Sequence, residues 1–209
     1  MRYQDRQDAG RRLADALRRY AQEDVVVLAL PRGGVVLGAE VARALGAPLD
    51  LVIPRKVGHP DFPEYGIAAV TETGEVVANE AEVARVDPAW FARAVAAERA
   101  EAARRRQRYL GDRPGVALEG RTAIVVDDGV ATGLTMLAAL REVRGRGAAR
   151  VVAAVPVGPA DTVARLRREA DEVVALQAPA AFAGAVGAYY ERFDQVSDAE
   201  VVAALRAMA

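Results

Sequence analysis

Two adjacent carboxylates followed by a loop of small residues are the most chemically suggestive feature of this sequence. Asp127 and Asp128 end an apolar run, and the residues Gly-Val-Ala-Thr-Gly-Leu-Thr that follow lead into a helical pattern. Carboxylates at the end of a buried strand are acceptors that can hold sugar hydroxyls directly or a hydrated magnesium ion. Backbone N–H groups and the hydroxyls of Thr132 and Thr135 can converge on one phosphate at the helix N-terminus. The combination predicts a sugar-phosphate site.

The same segment argues against two other kinds of phosphate site. It lacks the lysine of a Walker loop and the glycine spacing of a dinucleotide-binding fold, so it indicates neither a nucleoside triphosphate nor NAD. A purely structural alternative is that Asp127 and Asp128 cap the following helix. One N-cap needs only one side chain, however, and the helical pattern begins several residues later.

Two further segments carry groups suited to anionic ligands. Pro31-Arg32-Gly33-Gly34 follows the apolar run at residues 25–30, and the two glycines would let the backbone approach a ligand closely. Lys56 is the only lysine of the chain, and His59, the only histidine, lies three residues after it. Each of these side chains could instead be an ordinary exposed residue, since exposed Arg, Lys and His need no special explanation.

The composition excludes several classes of protein. The chain has 209 residues, 52% of them hydrophobic, and 28 basic against 29 acidic side chains, which fits neither a disordered tail nor a protein that coats nucleic acid. With no cysteine and one histidine, a disulfide scaffold, thiolate chemistry and a zinc site are excluded, so any metal should be hard and oxygen-bound. The charged N-terminus and short apolar runs lead us to expect a cytoplasmic protein.

The elements that must position these residues alternate between strand and helix patterns. Strands are predicted at 25–30, 49–53, 122–126, 151–155 and 172–176, and helices at 5–22, 35–45, 87–110, 135–146, 161–170 and from Ser197, which opens a capping box. This alternation predicts an α/β fold with a doubly wound, mostly parallel β-sheet flanked by helices, in which ligands bind at the carboxyl ends of the strands. We expect one domain over 1–209, with a core over 20–176.

The remaining segments should surround that core. The tail over 177–209 is a candidate C-terminal hood, and the helix within 1–22 should pack alongside it. The stretch 54–66 contains three prolines and two glycines, which predicts a long loop excluded from any sheet ladder. A hairpin that turns at Thr73-Gly74 should follow it.

Taken together, these residues resemble the type I phosphoribosyltransferase family over about 25–155. The acidic pair and its loop resemble the family's signature for binding PRPP, 5-phosphoribosyl 1-pyrophosphate. Pro31-Arg32-Gly33-Gly34 is similar to the pyrophosphate loop, which often contains a non-proline cis peptide, here between Pro31 and Arg32. The segment 55–74 lies where the family has its flexible catalytic loop.

The resemblance implies a role for each of these residues. Asp127 and Asp128 would bind the ribose hydroxyls and, through water, Mg²⁺. The 5-phosphate would be bound by Gly129, Val130, Ala131, Thr132, Gly133 and Thr135. The pyrophosphate would be bound by Pro31, Arg32, Gly33 and Gly34. The catalytic residues would be Arg55, Lys56 and His59.

The acceptor side of the implied site departs from one branch of the family. Members that act on hypoxanthine and guanine carry an aspartate near the position of Ala131, and alanine cannot make that contact with a 6-oxopurine. Phe182, Tyr189 and Tyr190 in the candidate hood, with Phe193 nearby, are instead suited to stacking on a planar ring. The same aromatic residues could form core or a contact between two copies of the chain, so a homodimer is also an expectation.

The function implied is transfer of the phosphoribosyl group of PRPP, with Mg²⁺, to a small nitrogenous acceptor with release of pyrophosphate. One alternative is a PRPP-sensing regulator with reduced or no catalysis, and another is a binder of a different phosphosugar such as a nucleoside monophosphate. Nucleic acid is not an expected partner. The arginines at 104, 105, 106 and 108 are typical of a solvated helix end, because the charge of the whole chain is balanced.

Overall fold

The computed structural model describes residues 2–208, and its strands form two separate sheets. The larger sheet contains β1 (Val25–Ala29), β2 (Leu49–Leu51), β6 (Thr122–Val126), β7 (Arg150–Val157) and β8 (Glu172–Gln177). The small sheet contains β3 (Arg55–Gly58), β4 (Gly66–Val70) and β5 (Val76–Ala78). The large sheet is parallel throughout in the order β2-β1-β6-β7-β8, and the small sheet is antiparallel in the order β3-β4-β5.

Helices cover both faces of the large sheet. They are α1 (Arg6–Ala16), α2 (Gly33–Leu45), the short α3 (Glu80–Val83), α4 (Pro88–Leu110), α5 (Leu134–Gly145), α6 (Ala160–Leu166) and α7 (Asp198–Arg206). In β1, Val25, Val27 and Ala29 pack in the core that contains α1 and α2. Val26 and Leu28 pack in a second core that contains α5. A strand buried on both faces explains its continuous apolar sequence, and the predicted doubly wound fold is confirmed.

The parallel register brings the two predicted ligand-binding loops together. Ala29 at the end of β1 pairs with Val126 at the end of β6. The Leu30 amide then donates a hydrogen bond to the Val126 carbonyl at 2.9 Å, so the segments that follow β1 and β6 leave the sheet side by side. The loop at 31–34 and the acidic pair therefore lie at the same carboxyl edge.

The prediction of a long loop over 54–66 is wrong in its first part. Residues 55–58 form β3 and pair antiparallel with β4. Pro54 precedes this strand, and Pro60 and Pro63 lie in the hairpin loop after it, so each proline stands outside the ladder that it would disrupt. The hairpin between β4 and β5 is confirmed, and Gly74 supplies its left-handed residue with φ 98°.

Several helix boundaries also differ from those predicted. The first predicted helix ends at Ala16 and is followed by a 3-10 turn over Arg18–Tyr20. The helix predicted over 161–170 ends at Leu166. The helix from Pro88 begins as predicted, with the Asp87 carboxylate accepting hydrogen bonds from two backbone amides.

The tail folds back onto the N-terminal segment. Tyr3 forms an isolated parallel bridge with Tyr190, and α7 begins with the predicted capping box between Ser197 and Glu200. Val201 and Leu205 of α7 pack in the same core as α1 and α2. Within residues 2–208, no helix combines the length and apolar character needed to cross a membrane.

Candidate functional site

The acidic pair lies at the end of β6, where the parallel sheet gives way to loop. Asp127 Oδ1 accepts a hydrogen bond from the Asp128 backbone amide at 2.8 Å. Asp128 Oδ2 accepts one from Arg6 Nε at 2.7 Å, in an ion pair whose side chains are only 12% (Arg6) and 16% (Asp128) exposed. Two carboxylates therefore share a confined space with one cation.

This crowding disfavours the charged forms of both carboxylates. Burial raises the pKa of Asp127 well above its usual range, and the neighbouring charge of Asp128 raises it further. Burial also raises the pKa of Asp128, although the charge and hydrogen bond of Arg6 counteract that rise. Added hydroxyl donors or positive charge would stabilise the ionised pair. The pair is thus suited to a polyhydroxylated ligand that arrives with a cation.

The loop from Gly129 to Thr135 connects this pair to α5. Gly129 with φ 155° and Gly133 with φ 77° adopt left-handed backbone conformations that favour glycine. The Ala131 carbonyl accepts a hydrogen bond from the Thr162 hydroxyl at 2.7 Å, whereas Ala131 and Thr132 are exposed at the surface. The loop thus presents its backbone and Thr132 to solvent at the start of a helix, where an anion is favoured.

Val130 does not fit its predicted place in the phosphate cradle. Its side chain is 3% exposed, and its amide donates to the Val157 carbonyl at 3.0 Å. A paired amide cannot also bind a phosphate without losing that bond. In this structure Val130 anchors the loop to β7.

The loop at 31–34 lies directly against the acidic pair. The peptide bond between Pro31 and Arg32 is cis, as the resemblance implied. A Cβ placed on Gly33 would lie 1.9 Å from Asp128 Oδ2, and one on Gly34 would lie 2.8 Å from the Val126 carbonyl oxygen and 3.1 Å from Asp127 Oδ1. Glycine is therefore required at both positions for the loop and the carboxylates to meet. The Arg32 guanidinium lies 3.9 Å from Asp198 at the start of α7.

The predicted catalytic side chains make their contacts within the small sheet and with α4. Arg55 Nε donates to Glu98 at 2.9 Å, and Lys56 Nζ donates to the Glu64 carbonyl at 2.9 Å. His59 Nδ1 accepts from the Asp61 amide at 3.2 Å. All three predicted residues line a cleft of about 390 Å³ that also contains Trp90 of α4. The acidic pair does not line this cleft. In this conformation the predicted catalytic residues are therefore apart from the acidic pair.

A larger cleft of about 590 Å³ opens beside the loop from Gly129 to Thr135. It is bounded by Ala131 and Thr132 of that loop, Arg165 of α6, Tyr65 of the loop between β3 and β4, and Phe182 of the tail. The Phe182 ring stacks on Tyr189, with centroids 5.3 Å apart and an interplanar angle of 23°. An aromatic face bordered by polar side chains is suited to a planar, hydrogen-bonding ligand.

Tyr190 does not belong to that cleft, contrary to the prediction that it binds the acceptor. Its side chain is 1% exposed, so its ring cannot stack on a ligand. The hydroxyl instead donates to the Asp128 carbonyl at 2.6 Å. Tyr190 therefore supports the backbone of the acidic pair from within the core.

The structure also identifies residues that sequence reasoning missed. Arg6 reaches Asp128 across 122 positions of the chain, and no local pattern distinguishes it from the other arginines near the N-terminus. Tyr65, which lines the larger cleft, lies in a proline-rich loop with no motif of its own. The only signal for it in the sequence is its position near Pro60 and Pro63, in the segment predicted to form a functional loop.

Known proteins share both the sequence and the fold. The family model for the phosphoribosyl transferase domain matches residues 2–191. A Mycobacterium tuberculosis protein named "Putative phosphoribosyl transferase Rv0571c" is 47% identical over 205 residues, which are 97% of this chain and 46% of that protein. The chain thus spans about half the length of this relative. The crystal structure of TT1426 from Thermus thermophilus is 48% identical, with a TM-score of 0.83 and 100% of both chains covered. Because the family model covers most of the sequence, this chain belongs to the phosphoribosyl transferase domain family.

Proposed function

We propose that the protein is a phosphoribosyltransferase that uses PRPP and Mg²⁺ to transfer the phosphoribosyl group to a nitrogenous acceptor, releasing pyrophosphate. The observation that carries this proposal is the contact between the two predicted ligand loops. Gly33 leaves only enough room for the Asp128 carboxylate, so a ligand held by the acidic pair also meets the loop at 31–34. That juxtaposition suits one molecule that has both a sugar and a diphosphate.

Different residues would bind the three parts of PRPP. Asp127 and Asp128 would accept hydrogen bonds from the ribose hydroxyls, and the exposed part of the loop from Ala131 to Thr135 would bind the 5-phosphate. Arg32 and the amides of Gly33 and Gly34 would bind the pyrophosphate, where a guanidinium can form paired hydrogen bonds. Each group would thus meet a chemically matched partner.

The donor set fits magnesium that is bound mainly through the ligand. Residues 2–208 contain no group of three or more His, Cys, Asp or Glu side chains arranged to hold a metal ion. Mg²⁺ keeps several waters and takes one or two carboxylates plus phosphate oxygens, which is what Asp127, Asp128 and PRPP would offer. When bound, the ion would neutralise charge on the departing pyrophosphate.

The chain's own cations would stabilise the same leaving group. Displacement at the sugar C1 transfers negative charge to pyrophosphate, so positive groups aimed at it lower the barrier. Arg32 belongs to the loop at 31–34, and its guanidinium lies 3.9 Å from Asp198. Lys56 is held by the Glu64 carbonyl, and it would reach the ligand only if the hairpin loop over 59–65 changed conformation.

The acceptor would occupy the cleft beside Phe182. A planar nitrogenous ring could stack on Phe182, with Arg165 and Thr132 within the same cleft for polar contacts. Ala131 argues against a 6-oxopurine, as the sequence suggested. The cytoplasmic location and the homodimer remain predictions.

Pyrophosphate release tests this proposal directly. The protein would be given PRPP and Mg²⁺ with a panel of free bases and small amines, using Asp127→Asn and Asp128→Asn as variants without the paired charge. We expect release with at least one acceptor, and a sharp loss of PRPP affinity in both variants. No binding of PRPP by the wild-type protein would refute the proposal.

A PRPP-sensing protein without catalysis is the second candidate. The ion pair between Arg55 and Glu98 favours it, because this pair holds one predicted catalytic cation against α4. PRPP binding with no pyrophosphate release across the whole panel would support this candidate over the enzyme.

A further inference from the structure

Arg6 is the most constrained charged side chain around the acidic pair. It is the first residue of α1 and donates from Nε to Asp128 Oδ2 at 2.7 Å. Its Nη1 donates to the Asp194 carbonyl at 2.6 Å, and its guanidinium lies 3.8 Å from the centre of the Phe193 ring. A carboxylate, a carbonyl and an aromatic face therefore fix the plane of this guanidinium.

This arrangement also fixes the Asp128 carboxylate. A planar guanidinium donates along defined directions, so a carboxylate bonded to it has little freedom to rotate. Gly33 lies against the same carboxylate oxygen, since a Cβ there would lie 1.9 Å from Asp128 Oδ2 and 2.8 Å from Arg6 Nε. Tyr190 restrains the backbone of the same residue through the hydrogen bond to its carbonyl. Side chain and main chain of Asp128 are thus held separately.

The protein encloses most of the Arg6 side chain. Its side chain is 12% exposed, and Asp128, the Asp194 carbonyl and the Phe193 ring hold its guanidinium in place. A carboxylate oxygen that accepts one hydrogen bond can accept more, so the pairing with Arg6 leaves Asp128 able to receive sugar hydroxyls. The geometry favours a supporting role over direct contact with phosphate.

We propose that Arg6 is a positioning residue, which acts through Asp128 to present that carboxylate to the ribose hydroxyls of the ligand. The inference rests on the proposed function, because it assumes that Asp128 binds the sugar. It makes the tail part of the site as well, since Phe193 and Asp194 hold Arg6 in place. Residues at both ends of the described chain would thus determine how well the sugar is bound.

Calorimetric titration with two separate ligands tests this role. Ribose 5-phosphate carries the hydroxyls that Asp128 would bind, and pyrophosphate does not. Arg6→Met should weaken ribose 5-phosphate binding about tenfold to a hundredfold, as expected for loss of a charge-assisted hydrogen bond that orients the acceptor. Pyrophosphate binding should change by less than about twofold, because its partners stay in place. Arg6→Lys should recover part of the lost affinity.

A matched control and a double variant separate positioning from a general structural effect. Arg192 pairs with Asp5 in the same region but does not contact Asp128, so Arg192→Met should leave both affinities unchanged. In an Asp128→Asn background, Arg6→Met should have little further effect on ribose 5-phosphate. If Arg6→Met does not fold, Arg6→Lys carries the test, with ribose 5-phosphate expected to weaken at least about threefold and pyrophosphate unchanged.

The outcomes distinguish the inference from the proposed function. Equal losses for both ligands, or a full effect of Arg6→Met in the Asp128→Asn background, would overturn the positioning role. Ribose 5-phosphate binding that is unchanged in a folded Arg6 variant would overturn it too, while PRPP binding by the wild type would leave the proposed function standing. Failure of the wild type to bind PRPP would overturn the proposed function and the inference together.

Discussion

Replacing Gly33 by alanine should weaken ligand binding while the protein still folds. The added Cβ would lie 1.9 Å from Asp128 Oδ2 and 2.7 Å from Asp128 Cγ. Because ordinary contacts between heavy atoms are about 3.5 Å, the carboxylate would have to move by roughly 1.5 Å. Gly33 does not have the positive φ that strains alanine, so the backbone itself can accept the substitution.

The size of the effect follows from what that movement breaks. The displaced carboxylate would lose its 2.7 Å hydrogen bond to Arg6 and its place beside Asp127. The displaced carboxylate would also lose its hydrogen bonds to the ribose, and since each such bond contributes about 1.5–3 kcal/mol, we expect PRPP affinity to fall about tenfold to a hundredfold. The free energy of unfolding should fall less, because alanine is up to about 1 kcal/mol more favourable than glycine in a helix such as α2.

Calorimetry with PRPP and Mg²⁺ measures the first effect, and thermal unfolding measures the second. Gly145→Ala at the end of α5 is the matched control, since no atom lies within 4 Å of the Cβ that it would add. The control should bind PRPP as the wild type does. A Gly33→Ala protein that binds PRPP with wild-type affinity would refute the reasoning that the two loops share one ligand.

Four further substitutions test other parts of the site and the fold. Arg32→Ala should weaken pyrophosphate binding at least about tenfold and ribose 5-phosphate far less, because each charge-assisted hydrogen bond contributes ~1.5–3 kcal/mol; equal losses in calorimetry would contradict this. Lys56→Ala should lower turnover by about tenfold to a thousandfold with a smaller change in the Kd for PRPP, and unchanged turnover on the true acceptor would make Lys56 an ordinary surface residue. Glu72→Gln should raise the Tm at pH 8, because burial raises the pKa of Glu72 and the folded state loses stability as pH rises through that raised pKa. Its advantage should vanish below about pH 4, where both folded and unfolded chains are protonated. Glu101→Gln should act in the opposite direction, since the hydrogen bond from Arg105 lowers the pKa of Glu101. It should lower the free energy of unfolding by about 0.3–0.5 kcal/mol at pH 8 and leave it unchanged at low pH. A Tm that shifts in the same direction at pH 8 in both glutamate variants would contradict these opposite effects.

The sequence was informative wherever structure depends on neighbouring residues. The apolar run of β1 and the acidic residues after β6 are local patterns, and both lie at the predicted places. The capping box at Ser197 and the Asp87 cap are local hydrogen bonds, so spacing alone predicted them. A strand followed by carboxylates and a helix already places those carboxylates at the carboxyl edge of a parallel sheet. The fold class and the sugar-phosphate hypothesis both came from such patterns.

Local patterns were misleading where a distant partner decides the outcome. Residues 55–58 form a strand because β4 provides a ladder, which the nearby prolines obscured. Tyr190 looked like a residue that stacks on the acceptor, but the N-terminal segment and Asp128 bury it.

The sequence by itself thus determined the alternation of strands and helices and the position of the acidic pair, because those depend on periodicity and on adjacent residues. Only the tertiary structure decided that Arg6 contacts Asp128 and that Gly33 fits against it. Both contacts join segments that are far apart in the chain, and no local pattern specifies which of many arginines or glycines folding will bring to a given carboxylate.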